Sequence, residues 1–355
     1  MPIVTNENIR TIARNVLHAA GASEEQVDVV GIHLANANLA GHDSHGFIRI
    51  SQYVNNIREG SIDPKGEPEV ERDDGAVAQV NGNGTFGQVV ATKATDVAID
   101  KAKQFGIGMV GMYNLGHTGR VGTYPERVAN EGMAAMMWTG FVGGTAANSV
   151  APFGGSERRL GTNPVSMSFP SPTEGPILLD FATSVAAEGK LRVYRARGHT
   201  LPSEWVLTKD GVPSRDPNDY YSGGALLPMG GLDGGHKGYG LSIMVTLFGA
   251  VLGSLGHQDT SMDTQKSGSS IVVIDVAKNA SIDHIRELVG NIVEYVKDTP
   301  PMEGSRGVLY PGEIEAMTRK QRLADGVEIE QSTWDEVGAL IKEFGLEAKI
   351  GPLPA

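Results

Sequence analysis

Three glycines, Gly82, Gly84 and Gly87 in NGNGTFG, have the G-x-G-x-x-G spacing of a dinucleotide-binding loop. No other feature restricts the fold as much, because a genuine fingerprint of this kind commits the chain to a parallel βαβ unit. Such a loop needs a strand before it, a helix after it, and an acidic residue roughly 20 residues beyond the last glycine, at the end of the next strand. AVAQV and the segment from about Gln88 to Phe105 meet the first two conditions. The third fails: after GIGMVGM the chain reads Tyr113, Asn114 and Leu115, while Asp96 and Asp100 fall inside the predicted helix. The preceding strand also ends on polar Gln79 and Asn81, where a buried parallel strand is apolar. The loop therefore reads as a helix-capping turn, and a nucleotide is expected elsewhere.

The pattern around it is helical at both ends and mixed between. Thr5 caps a first helix with Ile9, Ile12, Ala13 and Val16 on one face, and Ser23 with Gln26 forms a capping box for a second that runs to about Gly41. Phe47, Ile50, Tyr53, Val54 and Ile57 mark a third, ending at Gly60. The polar stretch IDPKGEPEVERDD reads as a crossing into a central region. There GIGMVGMYN, MAAMMWTG, ILLDFATS and IVVIDV are strand candidates, residues 119–131 are helical, and 141–164 and 198–236 are long loop segments. GYGLSIMVTLFGAVLG is expected to be a helix buried on most faces. Ser281 caps a helix with Ile282, Ile285, Leu288, Val289, Ile292 and Val296 in one stripe, and QSTWDEVGALIKEFG is helical with a cap near Ser332. The expectation is an α+β protein: a helical part over 1–75, a central mixed sheet over 76–290 and a helical C-terminal part over 291–355.

Composition narrows the function. The 355 residues carry 30 basic and 42 acidic side chains, net −12, which repels polyanions and argues against nucleic acid. There is no cysteine, so thiolate nucleophiles, disulfides and Cys-ligated zinc are excluded. The N-terminal stretch lacks the apolar core of a signal peptide, and no run approaches the ~18 to 20 apolar residues of a membrane span. A cytoplasmic protein without membrane association is expected.

Three glycine-flanked stretches concentrate polar groups. HDSHGFIR offers Ser44, His45 and Arg49: a histidine for proton transfer, and four residues on an arginine able to clamp a carboxylate. The bland reading makes the histidines helix caps and Arg49 a solvated charge. NLGHTGRVG places His117 between Gly116 and Gly119 at the end of a strand, a setting for a ligand or for a backbone-satisfying loop histidine. In LLDFATS, Asp180 follows apolar residues and needs a partner such as a protonated histidine, unless it caps a turn. GGHKGYG opens a helix, where Lys237 can meet a phosphate or remain a solvated charge. His42 and His45 are three apart, but no HExxH or carboxylate cluster completes a metal site, and neither a GxSxG elbow nor a P-loop is present.

GHDSHGFIRISQY, NLGHTGRVG, VAPFGG with GTNP, LLDFATS, HKGYGL and LYPGE, in this order, resemble the malate/L-lactate dehydrogenase family, with the hydroxycarboxylate dehydrogenases nearest. The resemblance implies a non-Rossmann nicotinamide-binding domain built on a mostly antiparallel central sheet with helices, inserted between the helical N- and C-terminal parts, in a homodimer. It implies that His45 or His117 donates and accepts the proton, with Asp180 orienting a histidine. Ser44, Arg49 and Tyr53 fall on the substrate side. Thr139, Asp180, Phe181, Ala182, Lys237, Glu303, Gly304 and Ser305 fall on the cofactor side, with NAD expected and NADP the alternative. Two departures stand out: Thr139-Gly140 replaces a Thr/Asn-Ser pair, and Arg120 occupies a place where several relatives have a small residue. The implied reaction is reversible hydride transfer between a nicotinamide and a small 2-keto or 2-hydroxy acid. Its rivals are reduction of a cyclic 2-imino acid, a non-catalytic nicotinamide-binding module and, last, a metal-dependent hydrolase.

Overall fold

The computed structural model describes residues 1–144, 148–254, 260–263 and 266–350. Strand β1 (Ile3–Val4) leads into α1 (Asn6–Ala19), where Thr5 accepts a hydrogen bond from the Asn8 N–H. Helix α2 (Glu24–Leu39) opens on the expected capping box, Ser23 and Gln26 each accepting from the other's backbone N–H. A 3₁₀ turn, Asp43–His45, connects it to α3 (Arg49–Arg58). Ile9, Val16, Leu34 and Val54 pack in one core with Val337 and Ile341, so residues from both ends of the chain share a helical layer.

The polar crossing contains an unexpected element. Residues 69–74 form strand β2 (Glu69–Asp74), in which every side chain but Val70 is charged. It is an edge strand, and an edge tolerates charge because one side of its ladder faces water. Strand β2 pairs antiparallel with β3 (Val77–Asn81), which runs parallel to β4 (Ile107–Tyr113) across helix α4 (Gly87–Phe105). After α5 (Thr123–Asn130) come β5 (Ala134–Val142), β6 (Pro164–Phe169) and β7 (Ile177–Ala182). Strand β6 was hidden in the long 141–164 loop and the residues after it by Ser166 and Ser168, whose hydroxyls donate to the Leu179 and Pro125 carbonyls. Residues 145–147 of that segment lie outside the described residues.

The other long segment is not bare loop. It holds, after α6 (Glu188–Ala196), the short strands β8 (Val206–Leu207) and β9 (Pro213–Ser214), α7 (Pro217–Tyr221), β10 (Ala225–Leu226) and the first turns of α8 (Gly231–Thr246). Helix α8 continues through a π-helical stretch, Leu247–Val251, into α9 (Leu252–Ser254). Strand β11 (Lys266–Ile274) then enters between β4 and β5, giving the order β2-β3-β4-β11-β5-β6-β7, antiparallel throughout except for β3 and β4. The fold is α+β, with a mostly antiparallel sheet, as expected.

The long apolar helix meets the sheet through glycine: a Cβ on Gly249 would lie 2.3 Å from the Gly140 nitrogen. Contrary to expectation, its far side is open, with Met244, Leu247 and Val251 each about half exposed. Gly231–Ser254 is also long and apolar enough to cross a membrane by length and composition alone, where the sequence reading found a buried helix and no run of spanning length. Helix α10 (Ile282–Lys297) is capped by Ser281 as predicted, but its apolar stripe has no buried residue and lines an open groove with Phe169, Ile177 and Leu309. Helix α11 (Glu313–Asp325) and β12 (Val327–Glu328), paired with β1, lead to α12 (Gln331–Glu343). Its N-cap is Glu330, with no side-chain cap bond, and Ser332 lies inside the first turn.

Candidate active site

The histidine turn is held from beneath by Asn38 at the end of α2. Its Nδ2 donates to Asp43 (2.7 Å) and its Oδ1 accepts from the Phe47 N–H (2.7 Å). Gly46 is needed here, since a Cβ would fall 2.1 Å from Asn38 Oδ1. Arg322 of α11 grips both oxygens of Asp43, at 2.6 and 2.9 Å, tying the C-terminal helices to the same turn. So fixed, Ser44 Oγ lies 2.8 Å from His45 Nδ1, and Arg49 Nε donates to the Ser44 carbonyl at 2.6 Å. Arg49 is half-buried, and burial, reinforced by nearby Arg192, lowers its pKa. It is no freely solvated charge.

The glycine loop supports the second histidine. Gly82 N–H donates to Tyr113 O (2.9 Å), Gly84 N–H to Asn114 O (2.9 Å), and Gly116 N–H returns to Thr85 O (2.8 Å). The loop's hydrogen bonds go to the segment leaving β4, which carries His117. His117 Nδ1 lies 2.9 Å from the Tyr53 hydroxyl, and Tyr53 Oη accepts from Gln88 Nε2 at 2.6 Å. The His45 and His117 rings stack with centroids 5.5 Å apart. Burial pushes His117 down to about 3, with Arg49 and His33 adding to the fall, and pushes His45 well below the usual histidine range, with His117 and Arg49 adding there. Burial likewise pushes Tyr53 up to about 12, against the lowering effect of Arg49 and Gln88.

Asp180 stands apart from both rings. It accepts from the Gly122 N–H at 3.0 Å and faces Arg120 Nε at 3.6 Å, and it makes no hydrogen bond to His45 or His117. A Cβ on Gly122 would lie 2.5 Å from its Oδ2, so this N-cap position of α5 takes glycine. Burial raises the Asp180 pKa, and Arg120, then His42, oppose the rise. Arg120 is 2% exposed and also pairs with Glu126 (2.6 Å), which Arg319 holds from the other side (2.7 Å). Arg120 thus belongs to a buried ion network.

The remaining sequence candidates are dispersed. Thr139 is buried with its hydroxyl 2.9 Å from Ser269 Oγ, a partner supplied by the adjacent strand β11. Phe181 and Ala182 end β7, half-buried. Lys237 is exposed on α8, and Glu303, Gly304 and Ser305 form an exposed turn in which the Ser305 N–H donates to Met302 O. Helix α6 packs on the histidine turn, Gly189 against Ser44. Sequence reasoning missed Gln88, Glu126 and Asn38. Only Gln88 carried a signal, its place directly after the third glycine. Among the described residues no group of three or more His, Asp or Glu side chains is assembled to hold a metal.

Residues 4–338 match the family model described as malate/L-lactate dehydrogenase. The chain belongs to the malate/L-lactate dehydrogenase family. It is 34% identical over 351 residues to a malate dehydrogenase of Pyrococcus horikoshii, covering 97% of this chain and 96% of that protein. It is 34% identical over 359 residues to an L-sulfolactate dehydrogenase of Methanothermobacter thermautotrophicus, covering 99% and 100%. The crystal structure of malate dehydrogenase from Entamoeba histolytica superposes with a TM-score of 0.89 at 29% identity, covering 99% of both chains. Membership in this dehydrogenase family makes the chain an oxidoreductase exchanging hydride between a nicotinamide cofactor and a small 2-hydroxy acid or its 2-keto form.

Proposed function

We propose that His117 exchanges the proton in this reaction, that Arg49 fixes the substrate carboxylate, and that His45 and Ser44 line the same site. One observation carries the reading: a histidine whose Nδ1 is held by Tyr53 stacks on a second histidine within the field of Arg49. Binding an anionic acid beside these rings raises their pKa towards the range useful for proton transfer. Asp180 then works through the backbone. By holding Gly122 and neutralising Arg120 it positions the loop that presents His117.

The cofactor, when bound, supplies or accepts the hydride. The residues present fit its diphosphate at the start of α8: Gly231 and Gly234 leave open space there, and Lys237 is an exposed cation one turn on. This is a non-Rossmann site, supported by the glycine loop being engaged by its own chain. Phe181, Ala182 and the turn at Glu303–Ser305 complete the proposed cofactor surface. Thr139 contributes through the sheet, its hydroxyl being bonded to Ser269. NAD is the expected cofactor and NADP the alternative. The helical part over 1–75 carries Ser44, His45, Arg49 and Tyr53 of the substrate side, the central region over 76–290 carries His117 and most of the cofactor surface, and the C-terminal part over 291–355 adds the turn at Glu303–Ser305. The unburied stripe of α10 supports a homodimer, and the acidic net charge speaks against a nucleic-acid partner.

Purified protein given NADH and NADPH in parallel with 2-keto acids and a cyclic 2-imino acid tests this reading. Keto-acid turnover that survives in Lys237→Ala with a raised cofactor KM supports it. Turnover of the imine alone overturns the substrate class.

A further inference from the structure

Gln88 is fully buried, and its one side-chain hydrogen bond among the described residues is the one it donates to Tyr53 Oη. Its Oε1 is buried without a partner. A leucine would fill such a site with no stranded carbonyl, so the amide needs a reason beyond packing. The reason lies in the direction of the next hydrogen bond. An amide N–H can only donate, so Tyr53 Oη is the acceptor at 2.6 Å and its own proton is free to go elsewhere. The acceptor in reach is His117 Nδ1 at 2.9 Å. An imidazole that accepts at Nδ1 carries its proton on Nε2.

We infer that Gln88 is a positioning residue that fixes the direction of the Tyr53–His117 hydrogen bond, so that His117 presents Nε2–H to the reacting oxygen and Tyr53 supplies the replacement proton. This deepens the proposed role of His117 and rests on it. During reduction the carbonyl carbon gains the hydride and its oxygen gains the π electron pair. That oxygen takes the Nε2 proton, Nδ1 takes the Tyr53 proton, and the buried Tyr53 phenolate takes its proton back from Nδ1 when the part-exposed His117 ring is reprotonated at Nε2 from solvent after product leaves. Gln88 Nε2–H and Arg49 both stabilise that phenolate. The groups facing His117 are thus Tyr53, His45, Arg49 and His33. The arrangement also explains the glycine spacing: Gly87 lets the first turn of α4 approach the His117 loop, and Gln88 is the next residue.

The test is ¹⁵N NMR of histidine-labelled ligand-free protein, with the His117 signals identified by their loss in His117→Ala. Wild type is expected to show a protonated Nε2 and an unprotonated, hydrogen-bonded Nδ1. In Gln88→Glu, whose buried carboxyl ionises only above a raised pKa, a pH series to about 10 carries the side chain from donor to acceptor only, so that the Tyr53 proton turns away and Nδ1–H becomes populated as pH rises. Tyr53→Phe, which keeps the ring packing, is expected to lower kcat by about tenfold or more, with the keto-acid KM nearly unchanged. A protonated Nδ1 in wild type, or one tautomer in wild type and Gln88→Glu alike, overturns the inference. If the tautomers behave as stated but His117→Ala retains turnover, the proton-donor reading falls and the relay with it. If the tautomer is reversed while His117→Ala is inactive, the relay alone falls.

Discussion

Gly87 and Gly116 approach so closely that a Cβ on Gly87 would stand 2.2 Å from the Gly116 carbonyl oxygen. The obstructing atoms are backbone, including those of His117, and cannot swing aside. Gly87→Ala should therefore cost about 1–3 kcal/mol and lower kcat/KM by moving His117. Gly240→Ala, on an open face of α8, should instead be neutral or stabilise by about 0.5–1 kcal/mol. Urea unfolding of both variants, with parallel turnover assays, checks the contrast.

The Asp180–Arg120 pair is the next test. Removing the carboxylate leaves a buried guanidinium with Glu126 as its remaining ion-pair partner and the Gly122 N–H without its acceptor. Asp180→Ala should lose about 3–5 kcal/mol. Asp180→Asn, which still offers an oxygen to Gly122, should lose less. Equal unfolding midpoints for Asp180→Ala and wild type would show that the network bears no load.

Acid should destabilise the fold through its buried histidines. His33, which accepts from the Arg120 N–H and is 4% exposed, and His117 are both pushed down to about 3 by burial. Between the ordinary value of about 6.5 and about 3, the unfolded chain holds these protons and the folded chain does not, so stability is intact above about 6.5 and falls with falling pH. Each such histidine contributes up to about 1.4 kcal/mol per pH unit. Unfolding free energies measured from pH 7.5 downward should show this loss, and His33→Gln should flatten it.

Arg49→Gln should raise the keto-acid KM and reduce kcat/KM by about 10-fold to 100-fold, the worth of a hydrogen bond to a charged group. Steady-state kinetics decide this. A kcat effect with no change in KM would place Arg49 away from the carboxylate.

Local rules made much of this legible. Capping at Thr5, Ser23 and Ser281 followed from side chains that reach only their own helix, and the strands at 107–113 and 134–142 from continuous apolar runs. Strand β2 and strand β6 were not legible, because charge on an edge and serines bonded to neighbouring carbonyls break the alternation that marks a strand. The glycine spacing was set aside as a nucleotide cradle and read as a helix-capping turn, and that reading missed a second service, close approach to the His117 loop. His45, His117 and Arg49 were found by residue type and converge in space. The partner of Asp180 was not foreseeable: Arg120 lies sixty residues earlier, in the loop before α5, and only the tertiary approach of that loop to β7 joins them.

The most direct measurement compares reduced-nicotinamide oxidation by wild type, His45→Ala and His117→Ala on the 2-keto acid that wild type turns over best. The account predicts that His117→Ala loses about 10²-fold to 10⁴-fold in kcat while cofactor binding persists, with a smaller loss for His45→Ala. Undiminished turnover by His117→Ala would contradict it.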